Sequence, residues 1–177
     1  VSLMQRDRKT DDIYISYSTP KTPSRTFIYN LKTKEKKLVK EQIIPSGHNS
    51  NDYIVERLEC EGHDGRIIPI TITRKKTTKL DGNSNLLLYG YGSYGNSMWP
   101  SFSSTRLSLI NRDIIWATAH IRGGMERGMK WWKEGKLLNK KNTFQDYISC
   151  AKFLIDKKYT SKKKIIGMGG SAGGLLM

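Results

Sequence analysis

Residues 163–177 read KKIIGMGGSAGGLLM. Ile165 to Met168 is a short apolar run without strict alternation, as in a parallel strand covered on both faces. It leads straight into Gly169-Gly170-Ser171-Ala172-Gly173, a G-x-S-x-G pattern, and then into apolar Leu175-Leu176-Met177, which read as the first turn of a helix. Strand, tight turn and helix form the setting in which a serine sits on a strained backbone with its hydroxyl exposed. Such a turn needs small neighbours on both sides. Gly169, Gly170, Ala172 and Gly173 supply them, and Gly174 adds another. The helix N-terminus then offers the Ala172 N–H to a developing oxyanion. Ser171 is the candidate nucleophile.

Two similar runs lie upstream, NLLLYGYG (85–92) and DIIWATAHIR (113–122). Between the second run and the Ser171 strand, Phe144, Tyr147, Ile148, Ala151, Leu154 and Ile155 recur at helical spacing. They predict a helix over 143–157, with Thr143 as N-cap and Thr143 to Asp146 as a capping box. Strand, helix, strand argues for an α/β sheet. Residues before 85 read differently. DDIYISYSTP and RTFIYNLKTKEKKLVK alternate with period two around a polar turn at Thr33 to Lys37. DYIVERLECEGHDGRIIPITITRKK reads as a further hairpin turning at Asp64-Gly65. The first two hairpins bury too little to stand alone and read as the end of a larger β-structure.

Composition narrows the function classes. The 177 residues are 37% apolar and 27% charged, which is globular composition. No apolar run approaches the about 18 residues of a membrane span. Cys60 and Cys150 are too few for a disulfide framework and fit a cytoplasmic setting. The chain begins with Val1, which reads either as a piece of something longer or as an unusual start. The net charge is +15, with lysines clustered at 32–37, 139–142 and 156–164. No aromatic residues interleave with them at regular spacing, so they read as solvated surface and not as a nucleic-acid interface.

Other motifs add less. Gly90-Tyr91-Gly92-Ser93-Tyr94-Gly95 matches G-x-G-x-x-G, but Pro100 follows where a phosphate-binding helix would run. It reads better as a loop at the C-terminal edge of a parallel sheet, where active sites form. No metal motif is present: there is no H-E-x-x-H and no C-x-x-C. His48, His63 and His120 all precede Ser171, whereas in α/β-hydrolases the acid and the histidine follow the serine. Each reads as structural or exposed.

Three segments together resemble a known family. LLLYGYGSYG, AHIRGGMERGMKWWKEGKLLNKKNTFQDYISCAKFLI and GGSAGGLLM are similar, in order and spacing, to the prolyl oligopeptidase family of serine peptidases, nearest its oligopeptidase B branch. The run from Trp132 through Leu138 is more diagnostic than the serine turn. The resemblance implies a β-propeller capping an α/β-hydrolase domain. Residues 1–45 would be the last propeller strands and 46–177 the N-terminal part of the hydrolase domain. It implies Ser171 as nucleophile, Tyr91 and Ala172 as oxyanion-hole donors, and Tyr94 at the substrate pocket. It implies no cofactor and no membrane or nucleic-acid partner. The substrate would be a short peptide cut after basic residues through an acyl-enzyme. The catalytic Asp and His would lie on a complementary C-terminal segment, and the chain alone is expected to be inactive. Trp99 and Ser101 stand where this branch often carries two aspartates serving the P2 residue. An inactive binding half and an esterase on the same fold remain as alternatives.

Overall fold

The computed structural model describes residues 1–4 and 9–177; residues 5–8 lie outside the described residues. The chain divides into two compact units, Val1–Asn51 with Ser101–Ser104, and Asp52–Pro100 with Thr105–Met177. No helix of the described residues is long and apolar enough to cross a membrane.

The first unit is a four-stranded antiparallel meander. Its strands are β1 (Ser2–Met4), β2 (Asp12–Thr19), β3 (Thr22–Asn30) and β4 (Lys36–Glu41), in that spatial order. Ile13 faces Tyr29 and Ile15 faces Phe27, as the alternation requires. The β3–β4 turn is set by Asn30, whose Oδ1 accepts from the Lys32 and Thr33 N–H groups at 2.9 Å each. Every residue of β4 is exposed. Residues 101–104 join this unit: the Phe102 N–H donates to Ser18 Oγ at 3.4 Å, and its ring meets His48 edge-on at 5.2 Å.

The second unit is a mixed α/β structure. Strands β5 (Tyr53–Glu61), β6 (Ile67–Lys75), β7 (Leu86–Tyr89), β8 (Ile115–Ala119) and β9 (Ile165–Met168) lie in the order β5-β6-β8-β7-β9. β5 and β6 form the antiparallel hairpin, and β6 pairs antiparallel with β8. The parallel strands β8 and β9 flank β7, so 113–122 and 163–170 share a sheet without touching. Helices α1 (Ser104–Ile110), α2 (Met129–Lys133) and α3 (Lys140–Asp156) complete it. Ile68, Ile70, Ile72, Leu86, Leu88 and Ala117 form one core with Cys150 and Leu154 of α3.

Two readings need correction. The long helix starts at Lys140, with Asn139 at its N-cap position, and not at Thr143. Thr143 and Asp146 are fully buried within the helix, so they form no capping box. Their polar groups are spent on the loop after β8. Secondly, β9 is not covered on both faces. Among the described residues it is an edge strand, and Ile166 and Met168 are 50% and 46% exposed.

Candidate active site

Parallel pairing makes neighbouring strands release their chains at the same sheet edge. Tyr89 pairs with Thr118 on one side and with Met168 on the other. The loops after β7, β8 and β9 therefore leave together, carrying Tyr91, Arg122 and Ser171.

Ser171 lies in a left-handed backbone conformation, with φ +52°. A non-glycine residue there costs about 1–2 kcal/mol, so surrounding contacts must hold it. Gly170 before it is extended, and Ser171–Leu176 follow as a short 3₁₀ helix. The Gly173 N–H closes the turn on the Gly170 carbonyl at 2.8 Å. Not every small neighbour is required. A Cβ on Gly169 would overlap the Gly173 carbonyl, whereas one on Gly170 meets nothing within 4 Å. A Cβ on Gly173 would press on the Gly90 carbonyl at 2.8 Å and the Tyr91 Cα at 3.2 Å. The missing side chain at Gly173 thus lets Tyr91 stand against the serine turn. Ser171 is exposed, Ala172 and Tyr91 are half-buried, and Tyr94 is 77% exposed with φ +56°. Ala172 and Tyr94 line one cleft of about 560 Å³ with Trp132, Lys136, Lys140 and Leu175.

Beneath the loops the backbones approach closely. A Cβ at Gly123 would land on the Gly92 carbonyl, and one at Gly135 would land on the Arg122–Gly123 peptide. Gly92, with φ +61°, has Thr143 and Ile121 where its own Cβ would be. Thr143 Oγ1 reaches both Arg122 O, at 2.9 Å, and Gly135 O, at 3.1 Å. Tyr147 donates to the Leu88 carbonyl at 2.6 Å, and burial pushes its hydroxyl up to about 12.

Arg122 anchors the loop after β8. It is 1% exposed and reaches Asp146 through its backbone N–H (2.9 Å), Nε (2.8 Å) and a terminal nitrogen (2.5 Å). Asp64, in the β5–β6 turn, takes the other side at 2.6 Å and 3.2 Å. Burial opposes the charge, but these bonds outweigh it and raise the guanidinium pKa above its ordinary value. Removing Asp146 leaves a buried cation without its main partner. Asp146→Ala should therefore cost about 3–5 kcal/mol, read as a lower midpoint in urea unfolding. The Asp64 side chain is 35% exposed, and Asp64→Ala should cost about 1 kcal/mol or less.

The histidines are placed as follows. His48 belongs to the first unit and bonds the Lys21 carbonyl at 2.8 Å. His63 is exposed in the β5–β6 turn. His120 is buried, 2.8 Å from Thr71 Oγ1 and 3.7 Å from Glu126 Oε1. The G-x-G-x-x-G loop is followed by no helix until Ser104, so it lacks the helix end that phosphate binding uses. Sequence reasoning missed Lys136 and Lys140, grouping Lys140 with solvated surface. Both are half-buried, while Lys141 is exposed.

Comparison with known proteins gives consistent results. The family model described as the prolyl oligopeptidase family matches residues 100–177. Dipeptidyl aminopeptidase BI of Pseudoxanthomonas mexicana is 44% identical over 169 residues, covering 95% of this chain and 23% of that protein. Protease 2 of Moraxella lacunata is 39% identical over 175 residues, covering 99% and 25%. Among solved structures, oligopeptidase B from Leishmania major is 37% identical with a TM-score of 0.87, over 97% of this chain and 24% of that one. Prolyl oligopeptidase B from Galerina marginata, bound to a 25mer macrocyclization substrate, gives 33% and 0.91, over 99% and 24%. The chain thus spans about a quarter of the length of the relatives it matches.

Proposed function

Because this chain belongs to the prolyl oligopeptidase family, we propose that it forms the nucleophile-bearing part of a serine-type oligopeptidase. One observation carries the reading. Ser171 sits with φ +52° at the end of a parallel strand, and the glycine two residues on lets Tyr91 pack beside it. In this reading the Ser171 hydroxyl attacks the scissile carbonyl, and the Tyr91 hydroxyl and Ala172 N–H receive the oxyanion. Tyr94 borders the pocket for the residue before the cut. The acyl-enzyme is then hydrolysed.

In this reading a complementary C-terminal segment would supply the base and the acid, as in the α/β-hydrolase chain order, where both follow the serine. Residues 1–45 would belong to a propeller blade, and 46–177 to the α/β-hydrolase domain. Substrates would be short peptides, cut after basic residues as in the oligopeptidase B branch, in the cytoplasm. Trp99, 77% exposed, offers no carboxylate to a second basic residue, so paired basic residues are not required.

The test is complementation. The chain alone should not cleave arginyl or lysyl peptide amides. Adding a C-terminal segment of the family that carries an Asp and a His should produce turnover. Turnover by the purified chain alone, or an assembled complex that cleaves esters and never peptides, would overturn the reading. The charge gives a separate check. If the lysines are solvated surface, binding to duplex DNA should be weak and should fall away between 50 mM and 200 mM salt. Binding that survives physiological salt would restore a nucleic-acid role.

A further inference from the structure

The loop from Tyr91 to Tyr94 carries two of the proposed site residues, yet it belongs to no strand or helix. Its ends are tied by backbone bonds: Gly90 N–H to Met168 O at 3.1 Å, and Gly95 N–H to Gly123 O at 2.9 Å. Between these ties the Gly92 carbonyl and the buried Ser93 hydroxyl both meet one side chain. Lys140 Nζ, from the first turn of α3, lies 2.6 Å from Gly92 O and 2.9 Å from Ser93 Oγ.

The surroundings leave that ammonium to the loop. Among the described residues, no acidic residue lines the cleft shared by Lys140, Tyr94 and Ala172. The other lysine there, Lys136, places Nζ 3.7 Å from the centre of the Trp132 ring. Burial lowers the Lys140 pKa. A charge held in a desolvated place must be satisfied by neutral acceptors, and the two loop oxygens are those acceptors.

We propose that Lys140 is the positioning residue of this loop: it fixes the peptide between Tyr91 and Tyr94, and so fixes where Tyr91 stands beside Ser171. The functional part rests on the serine-peptidase reading. The structural part does not, and the test reads the loop instead of turnover.

The experiment uses the 177-residue chain with Lys140→Met, which keeps the side-chain length and removes the donors. Amide exchange over 91–96 should quicken by about tenfold or more, the worth of a hydrogen bond to a charged group. Exchange in β8 and in residues 146–156 should stay within about twofold. Lys140→Arg, which keeps a cation with donors, should restore most of the protection. The Gly92 carbonyl carbon resonance gives a second readout. It should titrate in the unmodified chain with a midpoint below that of the solvated lysines, and it should be flat in Lys140→Met. Tyr94 and Lys136, the other titratable groups lining the cleft, are unchanged in the variant, so a response of theirs would persist there. Unchanged loop exchange, loosening spread equally through β8 and α3, or a Gly92 signal without the lysine titration would overturn the proposal. If Lys140→Met fails to fold, the titration is compared with Lys140→Gln, in which the Gly92 signal should also be flat. A titrating, well-ordered loop in a complex without peptidase activity would reject the enzyme reading and leave the clamp standing.

Discussion

Ser171→Ala is expected to reduce peptide hydrolysis by the complemented chain on the order of 10⁶-fold, to the level left by binding and oxyanion stabilisation. The size follows from what the hydroxyl does in the proposed reaction. Without it no acyl-enzyme forms, and water must attack a carbonyl polarised only by Tyr91 and the Ala172 N–H. The substitution should not disturb the fold. Ser171 is exposed, and alanine tolerates the same left-handed backbone at similar cost. Kinetics should therefore collapse while the unfolding midpoint moves by less than about 1 kcal/mol. Tyr91→Phe should give a smaller loss, about 10²- to 10³-fold, as expected for one oxyanion donor. That ranking separates the roles. A Tyr91→Phe loss as deep as that of Ser171→Ala would mean that Tyr91 does more than hold charge. Rates that survive Ser171→Ala would place the nucleophile elsewhere.

The serine turn was legible because its signals are local. An apolar strand, small residues and an apolar start to the next helix occupy 165–177 without interruption. β7 and β8 were legible for the same reason, although Gly90–Gly92 and His120–Arg122 leave the sheet earlier than their composition suggests. The misreadings share a cause. Thr143 and Asp146 have the spacing of a capping box, yet they serve Arg122 and Gly135, at least eight residues away in sequence. Lys140 resembles its neighbour Lys141 in sequence and differs from it only in facing the Gly92 carbonyl. A side chain whose partner lies on another loop carries no local signature. The exposure of β9 is similar, because the strand's own residues do not tell how many neighbours it has.

The second large effect concerns Gly123, where three segments meet. Its φ of +95° is a conformation that side chains rarely adopt, which alone costs about 1–2 kcal/mol on substitution. The larger cost is spatial. A Cβ would overlap the Gly92 carbonyl and lie 3.0 Å from the Gly135 carbonyl, and both obstacles are backbone. No rotamer change relieves them. One of the two loops must move, breaking the Gly95 N–H bond to Gly123 O or the Gly123 N–H bond to Trp131 O. Gly123→Ala should therefore destabilise by about 4 kcal/mol or more, a large share of the roughly 5–15 kcal/mol that holds a domain folded. Gly128→Ala is the matched control: φ there is +85°, but nothing lies within 4 Å of the added carbon. With ψ at −172°, this is a conformation that glycine alone normally adopts, and the substitution should cost about 1–3 kcal/mol. Gly170→Ala, with an extended backbone and open space, should cost nearly nothing. Urea unfolding of the three variants would rank them, and the order Gly123, Gly128, Gly170 is the expected result. Equal losses at Gly123 and Gly128 would mean that backbone conformation alone sets the cost. The glycine stack would then hold no loop in place, and the proposed placement of Tyr91 would rest on Lys140 and Gly173.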